Sequence, residues 1–264
     1  MKIAVLVKEV PDAAVEKRLD PNTKRLDRSG EKNLNPFDTH ALEAAVQLKE
    51  GGAPVDEIVA VTMGPESSTR TLHKAVSLGA NRSVQLTDDA LAGSDVWATG
   101  YALAKVLESE QPDLVLLGQQ SDDGENYTIG AVVADHLKYP SLTQVVDLKL
   151  DGNTLTLERQ AEYGYDTVKI ELPAVLSVGD ALNEPRYPSL KDIMGAKKKP
   201  LDVKSAGDVG IDPSNVGEAG SKTEVLAINP PPQKESGELI EDADADVDAT
   251  VDRIVTFLDE RKLI

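Results

Sequence analysis

The chain has 264 residues, no cysteine, 3% aromatic residues and a formal net charge of −18. Its length can bury a substantial core, while the absent thiols exclude disulfides, thiolate-held iron–sulfur clusters and a cysteine nucleophile. The acidic surplus repels phosphate backbones and the scarce rings offer no stacking platform, which excludes nucleic acid and leaves solubility, a basic partner protein or life in high salt.

Met1 leads straight into a strand-like stretch without a signal peptide, and no run of about 18 apolar residues occurs. A cytoplasmic protein with no membrane insertion is expected. Residues 2–7, Lys-Ile-Ala-Val-Leu-Val, predict a first buried strand ended by Lys8, Glu9 and the turn former Pro11-Asp12. Val15 to Leu34 is polar and turn-rich, an excursion expected to fold as a hairpin. Asn35-Pro36-Phe37-Asp38 signals a helix start: a capping residue, proline at the first helical position, then an acid in the first turn. Ala41, Leu42, Ala45, Val46 and Leu48 give its buried face before Gly51-Gly52 ends it. Such a start either simply begins a good helix or also lines a site, and spacing does not choose.

Ile58 to Met63 predicts a second buried strand, stopped by Gly64-Pro65. Ser67 or Ser68 is placed to cap a helix through Leu72, Ala75 and Val76 to Leu78. Arg82 to Leu86 reads as a short strand, and Ser94 is the expected cap of a helix striped by Val96, Gly100, Leu103 and Leu107. Leu114 to Leu117 is an apolar run too short for a helix and suited to a central parallel strand covered on both faces. Gly118 stops it, and the polar loop Gln119, Gln120, Ser121, Asp122, Asp123, Gly124, Glu125, Asn126, Tyr127 and Thr128 follows. From Ile129 the pattern turns helical, with Val132, Val133, His136 and Leu137 on one face. A strand's carboxyl end opening onto a helix start is where open α/β sheets bind anions, because N–H groups there lack partners. The same residues also suit an ordinary β–α connection. The strand–helix alternation through residue 138 predicts an α/β fold with a doubly wound, mainly parallel sheet.

After Pro140 the pattern changes. Val146, Leu148 and Leu150, the turn Asp151-Gly152-Asn153, then Leu155 and Leu157 predict an antiparallel hairpin extension. Val168, Ile170 and Leu172 alternate likewise, and Ala174 to Val178 is another buried strand. From Leu201 the sequence is loop-like, with Pro230-Pro231-Pro232, frequent acids from Glu241 to Asp248, and a terminal amphipathic helix carrying Val251, Ile254, Val255 and Leu258. Two regions are expected: an α/β domain over residues 1–200, and an extended arm over 201–264 that lies against it or wraps a partner.

Catalytic signatures are missing. No Gly-x-x-x-x-Gly-Lys-Ser/Thr loop, no Gly-x-Ser-x-Gly elbow and no nucleophile–base pair occurs. His40, His73 and His136 stand far apart in sequence. Asp122, Asp123 and Glu125 could hold Mg²⁺ beside phosphates, but acids on a loop of an acidic protein read as solvated, so no metal is expected. A binding module is the reading. Residues 183–200 are harder to explain as packing: Leu190, Ile193 and Met194 share one turn of helix ahead of Lys197, Lys198 and Lys199. Either that face packs on its own domain, or it is an exposed anchor with a cationic flank for an apolar pocket rimmed by acids.

The block Asn183-Glu184-Pro185-Arg186-Tyr187, followed by Leu190 and the three lysines, resembles the β subunit of electron-transferring flavoprotein. Val-Lys-Glu-Val-Pro-Asp at 7–12, Asn-Pro-Phe-Asp at 35–38, Gly-Pro at 64–65, Leu-Gly-Ala-Asn-Arg at 78–82, the central loop, and Leu-Glu-Arg through Leu-Pro-Ala at 157–174 extend the resemblance over nearly the whole chain. It implies a sheet of the adenine-nucleotide-binding type and an αβ heterodimer that carries electrons rather than an enzyme. One FAD would be held mainly by the α subunit, and AMP by the β subunit. Electrons would pass from acyl-CoA-type dehydrogenases of fatty acid oxidation towards a quinone reductase.

By position, the resemblance places AMP against Leu6, Val7 and Lys8, Asn35 to Asp38 (with Pro36 and Phe37), Met63, Gly64, and the loop Gly118 to Ile129. Arg159 matches an arginine near the flavin and the α interface, and Leu190 matches a leucine that enters a pocket on the dehydrogenase. Ala13 stands where some members carry an aromatic residue close to the flavin, Gln160 replaces an acid common after the arginine, and the central loop differs at several positions. Two other classes stay open. One is a bifurcating complex with a second FAD in place of AMP, fed by NADH; the other is a nucleotide-binding regulatory homodimer, which leaves residues 183–200 unexplained.

Overall fold

Lys2–Leu6 (β1) sends Ile3 and Val5 into one apolar cluster and Ala4 and Leu6 into another, and all four are buried. A strand with two apolar faces has to lie inside a sheet covered by helices on both sides. The computed structural model shows that arrangement; it describes residues 1–229 and 246–264, with Pro232 and Gly237. The elements after β1 are Glu9–Pro11 (β2), Lys32–Leu34 (β3), Pro36–Glu50 (α1), Glu57–Met63 (β4), Thr69–Ser77 (α2) and Arg82–Leu86 (β5). Val96–Glu110 (α3), Leu114–Gly118 (β6), Ile129–Leu137 (α4), Ser141–Asp151 (β7), Thr154–Ala161 (β8), Gly164–Glu171 (β9) and Ala174–Val178 (β10) follow. The chain continues through Leu190–Ala196 (α5), Leu201–Lys204 (β11), the single turn Gly217–Gly220 (α6) and Val247–Glu260 (α7).

One nine-stranded sheet runs β11-β5-β4-β1-β6-β10-β7-β8-β9. It is parallel from β11 to β7 and antiparallel where β8 and β9 extend it. The expected doubly wound sheet with an antiparallel extension is therefore observed. Leu114 and Leu116 of β6 join α1 and α2 residues such as Leu42 and Leu72, while Val115 and Leu117 join Leu103 and Leu107 of α3 and Val133 of α4. β1 feeds β4 on one side and has β6 on the other, so the strand order reverses between β1 and β6. In open α/β sheets the crevice beyond that reversal is the ligand position. The polar excursion returns as an antiparallel ribbon of β2 and β3, with a further bridge between Leu19 and Leu26.

Three local expectations are corrected. Asp95, not Ser94, caps α3: its carboxylate accepts from the Ala98 N–H, while the Ser94 hydroxyl accepts from the Gly217 N–H. In β7 the fully buried residue is Val145 rather than Val146, because the pairing with β8 bulges between Val145 and Asp147. The stretch from Leu201 is not loop-like at its start. β11 pairs with β5 at the sheet edge, and Ala206, Ile211 and Val216 bury themselves in the α3 side of the core.

The compact units accordingly divide between Leu226 and Ala227. Within the second unit, α7 is capped by Asp246 and buries none of its residues; Val251, Ile254 and Val255 are about half exposed. Pro230, Pro231 and the acids from Glu241 to Asp244 lie outside the described residues.

Because Leu116 is fully buried on the central strand, Leu116→Ala is expected to lower the unfolding free energy by about 2–5 kcal/mol in a urea titration.

Candidate functional site

Asn35 joins three segments. Its N–H donates to the Lys8 carbonyl at 2.9 Å, its Nδ2 donates to the Gln120 carbonyl at 2.8 Å, and its Oδ1 accepts from the Asp122 N–H at 3.1 Å. Its side chain makes no cap on α1 and serves the central loop instead. Asp38, in the first turn of α1, accepts from the Lys8 N–H at 2.8 Å and the Gly118 N–H at 3.2 Å. The carboxyl ends of β1 and β6 are thus tied to one helix start. Gly118 is required there, since a Cβ would fall 2.6 Å from the Phe37 carbonyl carbon.

The loop after Gly118 is held by cations from the excursion. The buried Asp123 carboxylate meets Lys8 Nζ at 2.7 Å and Arg28 Nη2 at 2.5 Å. Burial acts to raise its pKa, but Lys8, Arg28 and Ser121 outweigh it and hold the group below the ordinary carboxylate range. Lys17 donates to the Asp122 carbonyl at 2.6 Å. Glu125 (φ 46°) and Tyr127 (φ 56°) take left-handed backbone, and Asn126 Oδ1 accepts from the Thr128 N–H at 3.0 Å. Non-glycine residues in that region mark a loop whose shape the surroundings impose.

Beyond the β1/β6 reversal lies a cavity of about 440 Å³. Leu6, Val7, Lys8, Asn35, Asp38, Met63, Gly118 to Ser121 and Asn126 to Ile129 line it. Pro36, Phe37, Gly64, Asp122, Asp123, Gly124 and Glu125 do not, though Asp122 and Asp123 tie the loop to Asn35 and Lys8. The sequence reading missed, among others, Arg28 and the start of α3, where Ser94, Asp95, Val96 and Thr99 also line it. Helix-start logic applied to α4 could have found the α3 residues. Nothing local marks Arg28, which arrives from the excursion.

The two helix starts at the cavity differ. The Asp95 carboxylate takes the Ala98 N–H at 2.9 Å, the Lys222 N–H at 2.7 Å, the Thr223 N–H at 2.9 Å and the Thr223 hydroxyl at 3.0 Å. A carboxylate therefore already occupies the start of α3 and takes one of its N–H groups. At α4, Thr128 makes no side-chain cap, and Gly130 brings the first turn close to β6, where a Cβ would lie 3.2 Å from Leu117. The Gln120 Oε1 is buried with no partner. An uncapped helix start and an orphaned acceptor on one wall suit a ligand carrying both an anion and a hydrogen-bond donor.

Arg159 is not part of this cavity. It lies on β8, paired with Asp166 at 2.6 Å, and its Nε is buried without a partner. Leu190, Ile193 and Met194 on α5 are 74%, 51% and 69% exposed, and Lys197 and Lys198 are exposed beside them. Among the described residues, no three acidic or histidine side chains stand together as a metal site, and no helix is long and apolar enough to cross a membrane.

Burial pushes the Asp38 carboxyl up to about 7, against the opposing hydrogen bonds from Asn35, Lys8 and Gly118. The folded chain then keeps a proton that the unfolded chain releases near pH 4, so this contribution is complete below pH 4 and is lost as pH rises through 7. Its slope is at most about 1.4 kcal/mol per pH unit. Asp38→Asn is expected to remove that fall between pH 4 and 7, as read from unfolding titrations across the range.

Residues 23–209 match the family described as the electron transfer flavoprotein domain. The Mycobacterium tuberculosis electron transfer flavoprotein subunit beta is 39% identical over 245 residues, which cover 91% of this chain and 92% of that protein. The Megasphaera elsdenii electron transfer flavoprotein subunit beta is 36% identical with both chains fully covered. At 36% identity, again with full coverage of both chains, stands the Acetobacterium woodii caffeyl-CoA reductase–Etf complex subunit CarD. With the matched family spanning most of the nine-stranded sheet and relatives aligned over nine-tenths or more of their length, the chain belongs to the electron transfer flavoprotein family, among its beta subunits.

Proposed function

We propose that the cavity beyond the β1/β6 reversal binds AMP, and that this β subunit pairs with an α subunit to enclose one FAD. In this reading the heterodimer carries electrons from acyl-CoA-type dehydrogenases of fatty acid oxidation to a quinone reductase, in the cytoplasm. The single observation that carries the AMP assignment is the contrast between the two helix starts. At α3 the Asp95 carboxylate already takes the Ala98 N–H, whereas Thr128 makes no side-chain cap on α4, whose Ile129 and Gly130 line the cavity together with Gln120 and its orphaned Oε1. Backbone donors at α4 receive a phosphate without a free lysine, since Lys8 and Arg28 are engaged by Asp123. The remaining polar lining serves the nucleoside.

The flavin, when bound, supplies the one-electron chemistry that no side chain of this subunit offers. Arg159 contributes a fixed positive charge at the subunit boundary, where it favours an anionic flavin state. Its unpartnered Nε supports this, because a buried donor left open in one chain fits an acceptor in another. α5 projects Leu190, Ile193 and Met194 towards a dehydrogenase, with Lys197 and Lys198 facing its acidic rim. α7 packs against the α subunit, a role suited to a helix with an apolar stripe and no buried residue of its own.

One relative is named as a subunit of a caffeyl-CoA reductase–Etf complex, and this motivates the second reading, a bifurcating complex with a second FAD in place of AMP and NADH as donor. Co-expression with the α subunit, followed by denaturation and quantitation of released nucleotides, separates the two. One FAD and one AMP per heterodimer are expected; two FAD and no AMP, with bleaching by NADH, would overturn the AMP assignment. Leu190→Ala is expected to slow electron uptake from the dehydrogenase at least tenfold, as for loss of an interface hot spot of roughly 1.4 kcal/mol or more, with flavin content unchanged. Loss of flavin in that variant would make α5 structural instead.

A further inference from the structure

Glu43 and Glu50 lie seven residues apart on α1, two helical turns, and so share one face. Arg186 grips both. Its Nε and Nη2 reach Glu43 at 2.7 and 3.0 Å, its Nη1 and Nη2 reach Glu50 at 2.8 and 2.8 Å, and its backbone N–H reaches Glu43 at 3.2 Å. Glu43 is buried and Gln47 steadies it at 3.0 Å. Burial acts to raise the Glu43 pKa, and Arg186 more than offsets it; Glu50 is lowered by the same guanidinium. Asn183 adds a reciprocal contact with His40 at 3.0 Å.

The segment is fastened at its far end as well. Lys199 Nζ donates to the Ala80 carbonyl at 2.8 Å, Ala196 is buried, and the Pro200 carbonyl accepts from the Ser83 N–H at 3.0 Å. Between these ties, Tyr187, Leu190, Ile193 and Met194 stand 95%, 74%, 51% and 69% exposed. The exposed face of this short prong fixes nothing by itself; α5 is seated on the domain through the buried Ala196 and its packing beside α2, and its leading end is held at Arg186.

We infer that Arg186 is the positioning residue of the dehydrogenase-docking prong, pre-setting α5 through its double clamp on Glu43 and Glu50 so that docking does not have to order the segment. The inference rests on the proposed docking role of Leu190. Ordering a loose segment on binding lowers affinity, and a clamp that orders it beforehand removes that cost. Lysine does not substitute, because a single ammonium lacks the planar fork that spans two carboxylates. The effect therefore falls on encounter affinity, not on the flavin.

The test uses the αβ heterodimer as electron acceptor for an acyl-CoA dehydrogenase reduced by its acyl-CoA, with rate followed against heterodimer concentration. Arg186→Lys and Arg186→Gln are expected to raise KM roughly tenfold, with kcat and FAD content close to the unaltered protein. Arg186→Gln added to Leu190→Ala is expected to change KM little further, since a misdirected prong without its anchor has nothing left to lose. If Arg186→Gln does not assemble, Glu50→Gln, which alters the carboxylate that is 59% exposed, carries the same comparison. An unchanged KM in the Arg186 variants, or in Glu50→Gln if that stands in, together with a slow Leu190→Ala, overturns the positioning role and leaves the docking role intact. A fully active Leu190→Ala overturns both. Loss of FAD, or effects of Arg186→Gln and Leu190→Ala that multiply independently, makes the clamp a stability feature and also overturns the inference.

Discussion

The tie between the start of α1 and the ends of β1 and β6 governs the rest of the molecule. Asp38 accepts from Lys8 and Gly118, and Asn35 holds Gln120 and Asp122. Without those bonds the central loop would have no fixed origin, and the cavity would lose one wall. Gly118 allows the contact because any side chain there would strike Phe37. The junction carries a cost, since Asp38 sits where burial disfavours its charge. A buried acceptor that satisfies two backbone donors is retained because leaving those donors open costs more.

Charge is arranged locally against the overall balance. The chain carries a net charge of −18, yet two acids of the central loop, Asp122 and Asp123, are met by Lys8, Lys17 and Arg28. These pairs offset the charge of the two loop carboxylates, which therefore oppose the potential from the start of α4 less than unpaired acids would. The same economy appears at α1, where one guanidinium holds two carboxylates together. In both places the pairing fixes a segment that would otherwise be loose: the loop around the cavity, and the docking segment.

Most of the sheet was legible from residue order because parallel strands buried on both faces leave continuous apolar runs, as in Leu114 to Leu117. The helix start at Pro36 and the exposed face of α5 were equally legible, one from capping chemistry and the other from apolar residues ahead of lysines. Less was visible where the cause is distant. Asp95 caps α3 in place of Ser94 because residues 217–223 come back to that helix and engage both side chains. β11 reads as loop since an edge strand of four residues needs its neighbour, not its own pattern, to form. Arg28 enters the cavity wall from a polar excursion that carries no periodic signal. The cavity's central loop was found by position; which of its residues face inward depends on left-handed turns at Glu125 and Tyr127 that composition does not announce.

The claim on which the functional account depends is that the cavity next to α4 is a nucleotide monophosphate site separate from the flavin. Phosphorus NMR of the purified heterodimer addresses it directly, because a bound phosphate monoester and a flavin pyrophosphate give distinct resonances. The account predicts one slowly tumbling monoester signal alongside one pyrophosphate pair, with the monoester displaced in position when Gly130→Pro removes an N–H from the start of α4. Pyrophosphate signals alone would contradict it.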